Sequence, residues 1–223
     1  MIPFIVGTIS AVVSVVSSIG SAVAGFCTTV LPRLAPLLAQ GLEALKVVSQ
    51  IVDTLTSVFS IFKGGENTEN MGDRALQAAG QGITPEHFDD FAQYMDALRD
   101  FKLDDAKSEK TPVEQKIIAG FALAGRGLDD KFNTPEGTMG SLIPLIAADP
   151  GYFSTEKLIQ ILKSGQDIGT IIEYFEGKLG GGEALETEDK LVQITQPSMP
   201  AENEKSMREK IYGAAEAVQR YGS

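Results

Sequence analysis

Small side chains recur near the start of the chain as Gly7, Ser10, Ser14, Ser17, Ser21, Ala24 and Thr28, in steps of 3, 4, 3, 4, 3 and 4. Such spacing puts all seven on one face of a helix. Ile9, Val12, Val13, Val16, Ile19, Val23 and Phe26 fill the other face. Strict alternation, the mark of a strand, is absent. The pattern predicts one apolar helix through about residue 31. So many β-branched residues make it weak alone in water.

Pro32 and Pro36 interrupt the run, and a second pattern follows. Leu34, Leu38, Leu45, Val48, Val52, Leu55, Phe59 and Phe62 fall on one seam, with Gly41 in the same register. Leu37, Leu42, Val47, Ile51, Val58 and Ile61 widen it, and polar residues such as Gln40, Glu43, Lys46 and Gln50 lie opposite. This predicts an amphipathic helix of about 28 residues, roughly 40 Å long at 1.5 Å per residue. Its apolar face is too broad for a two-stranded coil and predicts more than one neighbour.

Residues 64–72, rich in Gly, Asn and charge, read as a linker. Helix-start signals come next: Thr84-Pro85-Glu86, Thr111-Pro112-Val113-Glu114 and Thr134-Pro135-Glu136. The second also has capping-box spacing between Thr111 and Glu114. Phe88, Phe91, Met95, Leu98 and Phe101 form one apolar face, and Val113, Ile117, Phe121, Ala124 and Leu128 the next. Ser154 is placed to cap a further helix that ends at Gly165. The expected fold is all-α, with long apolar N-terminal helices followed by a compact acidic helical domain. The expected division is an oligomerisation or membrane segment over 1–63, a linker over 64–72, the helical domain over 73–180, and a C-terminal arm over 181–223 with one polar helix.

Charge sharpens this division. Residues 1–32 carry no charged side chain. Residues 1–63 have a net charge of +1, and residues 64–223 a net charge of −12. No basic run suits nucleic-acid phosphates, so DNA is not expected as a specific ligand. The lone Cys27 sits in an apolar setting and forms no internal disulfide. His87 is the single histidine, beside Glu86 and Asp89, and reads as a solvated helix start. Phosphate-binding glycine loops are missing. The acid pairs Asp89-Asp90, Asp104-Asp105 and Asp129-Asp130 point about 100° apart on a helix, so adjacency alone does not make them shared-proton dyads, and they read chiefly as solvated faces. Residues 129–137 fail the EF-hand pattern. No catalytic, metal-binding or cofactor-binding residue is expected, and the chain does not read as an enzyme.

The uncharged start lacks the basic residues that precede a signal core, although small residues near Ala24 resemble a cleavage site. It is long enough to span a bilayer. It also suits helix-to-helix packing, because small residues let backbones approach closely. In either setting the reading expects residues 1–63 to bury their apolar surface in sister subunits or lipid, making the protein a homo-oligomer. The Ser stripe would be the packing or lumen face, and Leu34 to Phe62 the oligomer seam.

An apolar Gly/Ser/Ala/Val-rich start, a Leu-rich amphipathic helix and an acidic, non-catalytic helical domain together resemble the internal virion, or ejection, proteins of short-tailed bacteriophages. That resemblance implies a virion protein that is expelled through the tail and assembles a conduit in the host envelope. Its implied partners are copies of itself, other virion or tail and portal proteins, and a bacterial membrane. DNA would pass through without specific binding. The alternatives are a pore-forming or lysis protein acting through residues 1–31, and a purely structural helical assembly component.

Overall fold

Gly20, Pro32, Pro36 and Gly41 decide the shape of the N-terminal region. The computed structural model describes residues 2–221, and the side-chain surroundings of residues 10–21 and 23–221. Among the described residues every regular element is helical, as the periodicity predicts. The long apolar helices are not formed. α1 (Ile2–Ser17) stops short of Gly20, which stands at φ 125°. A Cβ disfavours that conformation, so glycine serves there as a helix breaker.

Residues 21–40 continue as short turns of changing pitch. They comprise a 3-10 turn at Ser21–Val23, a π turn at Phe26–Val30, a 3-10 turn at Leu31–Leu34, and α2 (Ala35–Gln40). Pro32 explains the change. It has no N–H to donate, and its ring crowds the carbonyl four residues before it. The turn widens instead, and the Leu31 N–H reaches back to the Phe26 carbonyl. Gly41, at φ 92°, ends α2, and α3 (Leu42–Val58) starts afresh. The predicted 28-residue helix is therefore two shorter ones. Among the described residues no helix is long and apolar enough to cross a membrane.

α3 ends in a tight C-terminal motif. The Ser60 N–H donates to the Ser57 carbonyl at 3.1 Å, and the Ile61 N–H to the Thr56 carbonyl at 2.8 Å. This geometry needs a left-handed residue, usually glycine, at the position held by Ser60, whose φ is 62°. Ser60→Gly is expected to stabilise the fold by about 1 kcal/mol, the size of the left-handed penalty on a residue with a Cβ. A higher urea midpoint would show it; an unchanged or lower midpoint would contradict it.

α4 (Thr68–Ala79) begins inside the segment read as a linker, because the Asn67 side chain accepts the Asn70 N–H at 2.8 Å and caps it. Thr84-Pro85-Glu86 starts only a 3-10 turn; α5 (Phe91–Asp100) is capped later, by Asp90. α6 (Asp105–Lys110) is short, and α7 (Val113–Phe132) is the longest helix of the described chain. The predicted capping box is absent, since the Thr111 hydroxyl donates back to the Lys107 carbonyl. α4 crosses α7 with almost no gap at Gly72 and Gly120. A Cβ on Gly72 would lie 1.8 Å from the Lys116 carbonyl oxygen, and one on Gly120 would lie 1.9 Å from that of Thr68. α1 and α3 also pack on α7, which buries Ile117, Phe121, Ala124 and Leu128.

The chain divides into Met1–Ile143 and Pro144–Ser223, and the boundary falls inside α8 (Leu142–Ala148). It does not follow the expected 63/73 and 180/181 limits. The second unit contains α9 (Thr155–Lys163), α10 (Ile168–Phe175), α11 (Gly181–Thr195) and α12 (Glu204–Tyr221). Its core is aromatic, with the Phe153 and Phe175 rings 4.8 Å apart edge to face. The expected C-terminal arm with one helix holds two helices instead. α12 buries Met207, Ile211, Ala214 and Val218, and packs on α10 and α11.

Candidate interaction surface

Helical period separates two faces without saying which one meets water. Here Ser10, Ser14, Ser17, Ser21, Ala24 and Thr28 are all exposed. Gly7 falls among residues 1–9, outside the described side-chain surroundings. The opposite face, Val12, Val16, Ile19 and Val23, is at most 1% exposed. The small-residue stripe is thus the outer face of the first unit, and the Val/Ile face is its inner one.

The residues expected to form an oligomer seam lie inside the fold. Leu34, Leu45, Val48, Val52, Leu55, Phe59 and Phe62 are buried within the chain, and Leu38 is half-buried. α2, α4 and α7 pack around α3 and supply the neighbours that the breadth of its apolar face predicted. These residues therefore need no sister subunit to leave water. Another file of α3 does reach the surface, with Val47 at 46% and Val58 at 45% exposure. The sequence pattern had merged this file with the inner one, because both sit at helical spacing on one 17-residue helix.

The outer surface of residues 10–58 is poor in charge. Glu43 and Lys46 are its exposed charged residues, and they lie 3.6 Å apart. Arg33 is half-buried. Asp53 turns inward, where its carboxylate accepts the Thr68 N–H at 2.7 Å and the Ser49 hydroxyl at 3.3 Å. Burial pushes its pKa up against these bonds.

Glu86 fixes the start of the 3-10 turn Ser21–Val23. Its carboxylate, 65 residues away in sequence, accepts the Ser21 N–H beside Gly20. Hydrogen bonds from the Ser21 side chain and backbone hold its carboxyl down at about 2. No local pattern shows this contact, because the acceptor comes from a distant turn.

The acidic candidates act as structural anchors. Asp129, buried, accepts the Thr134 hydroxyl at 2.8 Å and the Gly137 and Met139 N–H groups at 2.7 Å each. Burial raises its pKa, and those donors oppose the rise. The segment 129–137 folds on this carboxylate, and Thr134-Pro135-Glu136 is a turn rather than a helix start. Asp130 pairs with Arg126 at 2.8 Å. Asp90 and Asp104 cap α5 and α6. His87 is exposed, with Nδ1 3.1 Å from the Thr84 hydroxyl. Cys27 is buried, and burial pushes its thiol pKa up, away from the reactive thiolate. Among the described residues no group of three His, Cys, Asp or Glu side chains is placed to hold a metal ion.

In the second unit a groove of about 310 Å³ runs between α11 and α12. Arg208 on its wall is bound by Glu188 at 2.8 Å, Asp189 at 2.5 Å and Glu204 at 2.8 Å. The guanidinium is occupied by carboxylates of its own unit, which suits a clamp between two helices better than a ligand site. Comparison of the chain with family models, curated proteins and solved structures returns no match.

Proposed function

We propose that this chain is a non-enzymatic assembly protein that self-associates through the charge-poor outer surface of residues 10–58. The observation behind this reading is the segregation of charge. Two copies with a net charge of −11 repel over most of their surface. They meet at less electrostatic cost where residues 10–58 themselves contribute one exposed Glu/Lys pair, with Glu86 beside Ser21 and Glu136 beside Gly25 at the edge. Small hydroxyl and methyl side chains on α1 and the following turns also permit close approach of a partner backbone.

In the setting implied by the resemblance to phage internal virion proteins, this would be a virion component. It would associate with its own copies and with tail or portal proteins, and contribute to a conduit through the host envelope. DNA would pass the acidic surfaces without being bound. A pore acting through residues 1–31 alone is the weaker alternative. Inserting them into lipid would withdraw Val12, Val16, Ile19, Val23 and Phe26 from the core and uncover α7. At about 1.5–3 kcal/mol per large buried side chain, the exposed counterpart surface opposes insertion from the folded state.

The test is sedimentation or light scattering of the full chain over a wide concentration range, with Ser14→Leu and Ser17→Leu beside it. The reading expects oligomers that both substitutions weaken. A monomer at every concentration would overturn it. Dye leakage from vesicles caused by the chain alone would favour the pore instead.

A further inference from the structure

We infer that two copies of this chain exchange their N-terminal arms, residues 2–34, when the junction of α2 and α3 straightens at Gly41 into one helix. The exchange uses the inner face of the arm and needs no contact between outer surfaces, so it goes beyond the association proposed above. In the sequence the seam from Leu34 to Phe62 runs unbroken through Gly41, yet the folded chain divides it into α2 and α3. One residue makes that division. Gly41 stands at φ 92° and ψ −176°, a conformation essentially confined to glycine, and a Cβ added there would meet nothing within 4 Å. No neighbour crowds the junction, and no side-chain cap holds the start of α3. In a joined helix the N–H groups of Leu42, Glu43 and Ala44 would donate to the carbonyls of Leu38, Ala39 and Gln40. That supplies the partners that a helix start otherwise lacks.

What covers the arm in the exchanged pair is already present in the fold. Val12, Val16, Ile19, Val23, Phe26 and Val30 are buried. The arm packs on α7, on the turn at Pro85–His87 and on the turn at Met139–Ser141. In an exchanged pair each arm makes these same contacts on the body of the other copy. The apolar burial of the arm is then nearly the same in both forms, and the hinge and the concentration set the balance. The two joined helices must run past each other to deliver their arms. Leu37, 1% exposed in the single chain, there gains new cover beside α2 of the second copy. Glycine at position 41 keeps the single chain accessible, because it tolerates the positive φ and weakens the joined helix.

Disulfide trapping across the buried contact between arm and body tests the exchange. A Cβ on Gly140 would lie 3.3 Å from Val30 Cγ2, and both residues are buried. In a Cys27→Ala background, a chain with both Val30→Cys and Gly140→Cys should link within itself when oxidised dilute, which shows that the thiols reach each other. Chains with Val30→Cys alone, mixed at high concentration with chains with Gly140→Cys alone, should form a linked dimer, and neither should link by itself. In the otherwise native chain, Gly41→Ala should lower the dimer Kd about tenfold for each of two hinges, about a hundredfold together, because Ala resists the positive φ and favours the helix. Gly82→Ala, at φ 79° with equally open space but outside the hinge, should leave the Kd unchanged. Mixed linkage that Gly41→Ala leaves unmoved would overturn Gly41 as the hinge. Association without mixed linkage would overturn the exchange and leave the outer-surface reading standing. A Gly41→Ala chain that stays monomeric at high concentration overturns both.

Discussion

Gly120→Ala is expected to destabilise the first unit by about 3 kcal/mol or more, a large value for one added methyl group. The new Cβ would sit 1.9 Å from the Thr68 carbonyl oxygen and 2.5 Å from the Thr68 Cα. Both obstacles are backbone, so no rotamer change relieves the overlap. α4 would have to move off α7, loosening the packing around its own Met71 and Ala75, both fully buried. The opposite side is equally tight, because Gly72 meets the Lys116 carbonyl. Gly213→Ala on α12 is the matched control, with nothing within 4 Å of its added Cβ. It should gain about 0.5–1 kcal/mol from helix propensity alone. Hydrogen exchange resolved along the chain would separate the two. Protection should fall within 1–143 for Gly120→Ala and rise within 144–223 for Gly213→Ala. Unchanged protection in Gly120→Ala would mean that the helices do not approach this closely.

The second large effect concerns a charge buried beside the same crossing. Asp73 is 3% exposed, and Lys116 lies 3.0 Å from its carboxylate. The Ser108 hydroxyl at 2.5 Å and the Gln77 amide at 3.0 Å complete its hydrogen bonds. Lys116→Met removes the only cation paired with Asp73 among the described residues and leaves a carboxylate among neutral donors. The expected loss is about 3–5 kcal/mol. Asp73→Asn added to Lys116→Met should recover much of it, since the site then holds no charge and the amide keeps a hydrogen-bonding role. Urea unfolding of the two variants decides the matter. A double variant no more stable than the single one would show that desolvated charge is not the dominant cost.

The helical class was legible because the 3.5-residue period persists through α1 and α3 and no alternating strand pattern competes with it. What could not be read was the sense of the N-terminal faces. A segment without charged residues looks as if it must avoid water on all sides, yet the Ser10–Ser14–Ser17–Ser21 file is solvated through hydroxyl groups alone. The breaks at Gly20 and Gly41 were present in the sequence, but Gly41 fits the apolar register, and periodicity alone cannot tell a packed glycine from a positive-φ one. Thr134-Pro135-Glu136 misled for a related reason, since the same residue types start helices and close turns. The deciding partner is Asp129, which the turn folds back to meet. Contacts such as Glu86 with Ser21, or Gly72 with Gly120, join residues tens of positions apart. No local rule reaches them.

The cover over the first helix has a consequence during synthesis. α7, on which α1 packs, begins about a hundred residues after Val12 and Val16. At roughly 5–20 residues per second, a ribosome takes on the order of 5–20 s to produce that stretch. For that interval the inner face of α1 has α2 but not α7 to pack on, and residues 10–32 bring no charged side chain to keep neighbouring nascent chains apart. Crowded polysomes are where such a protein would first depend on a chaperone.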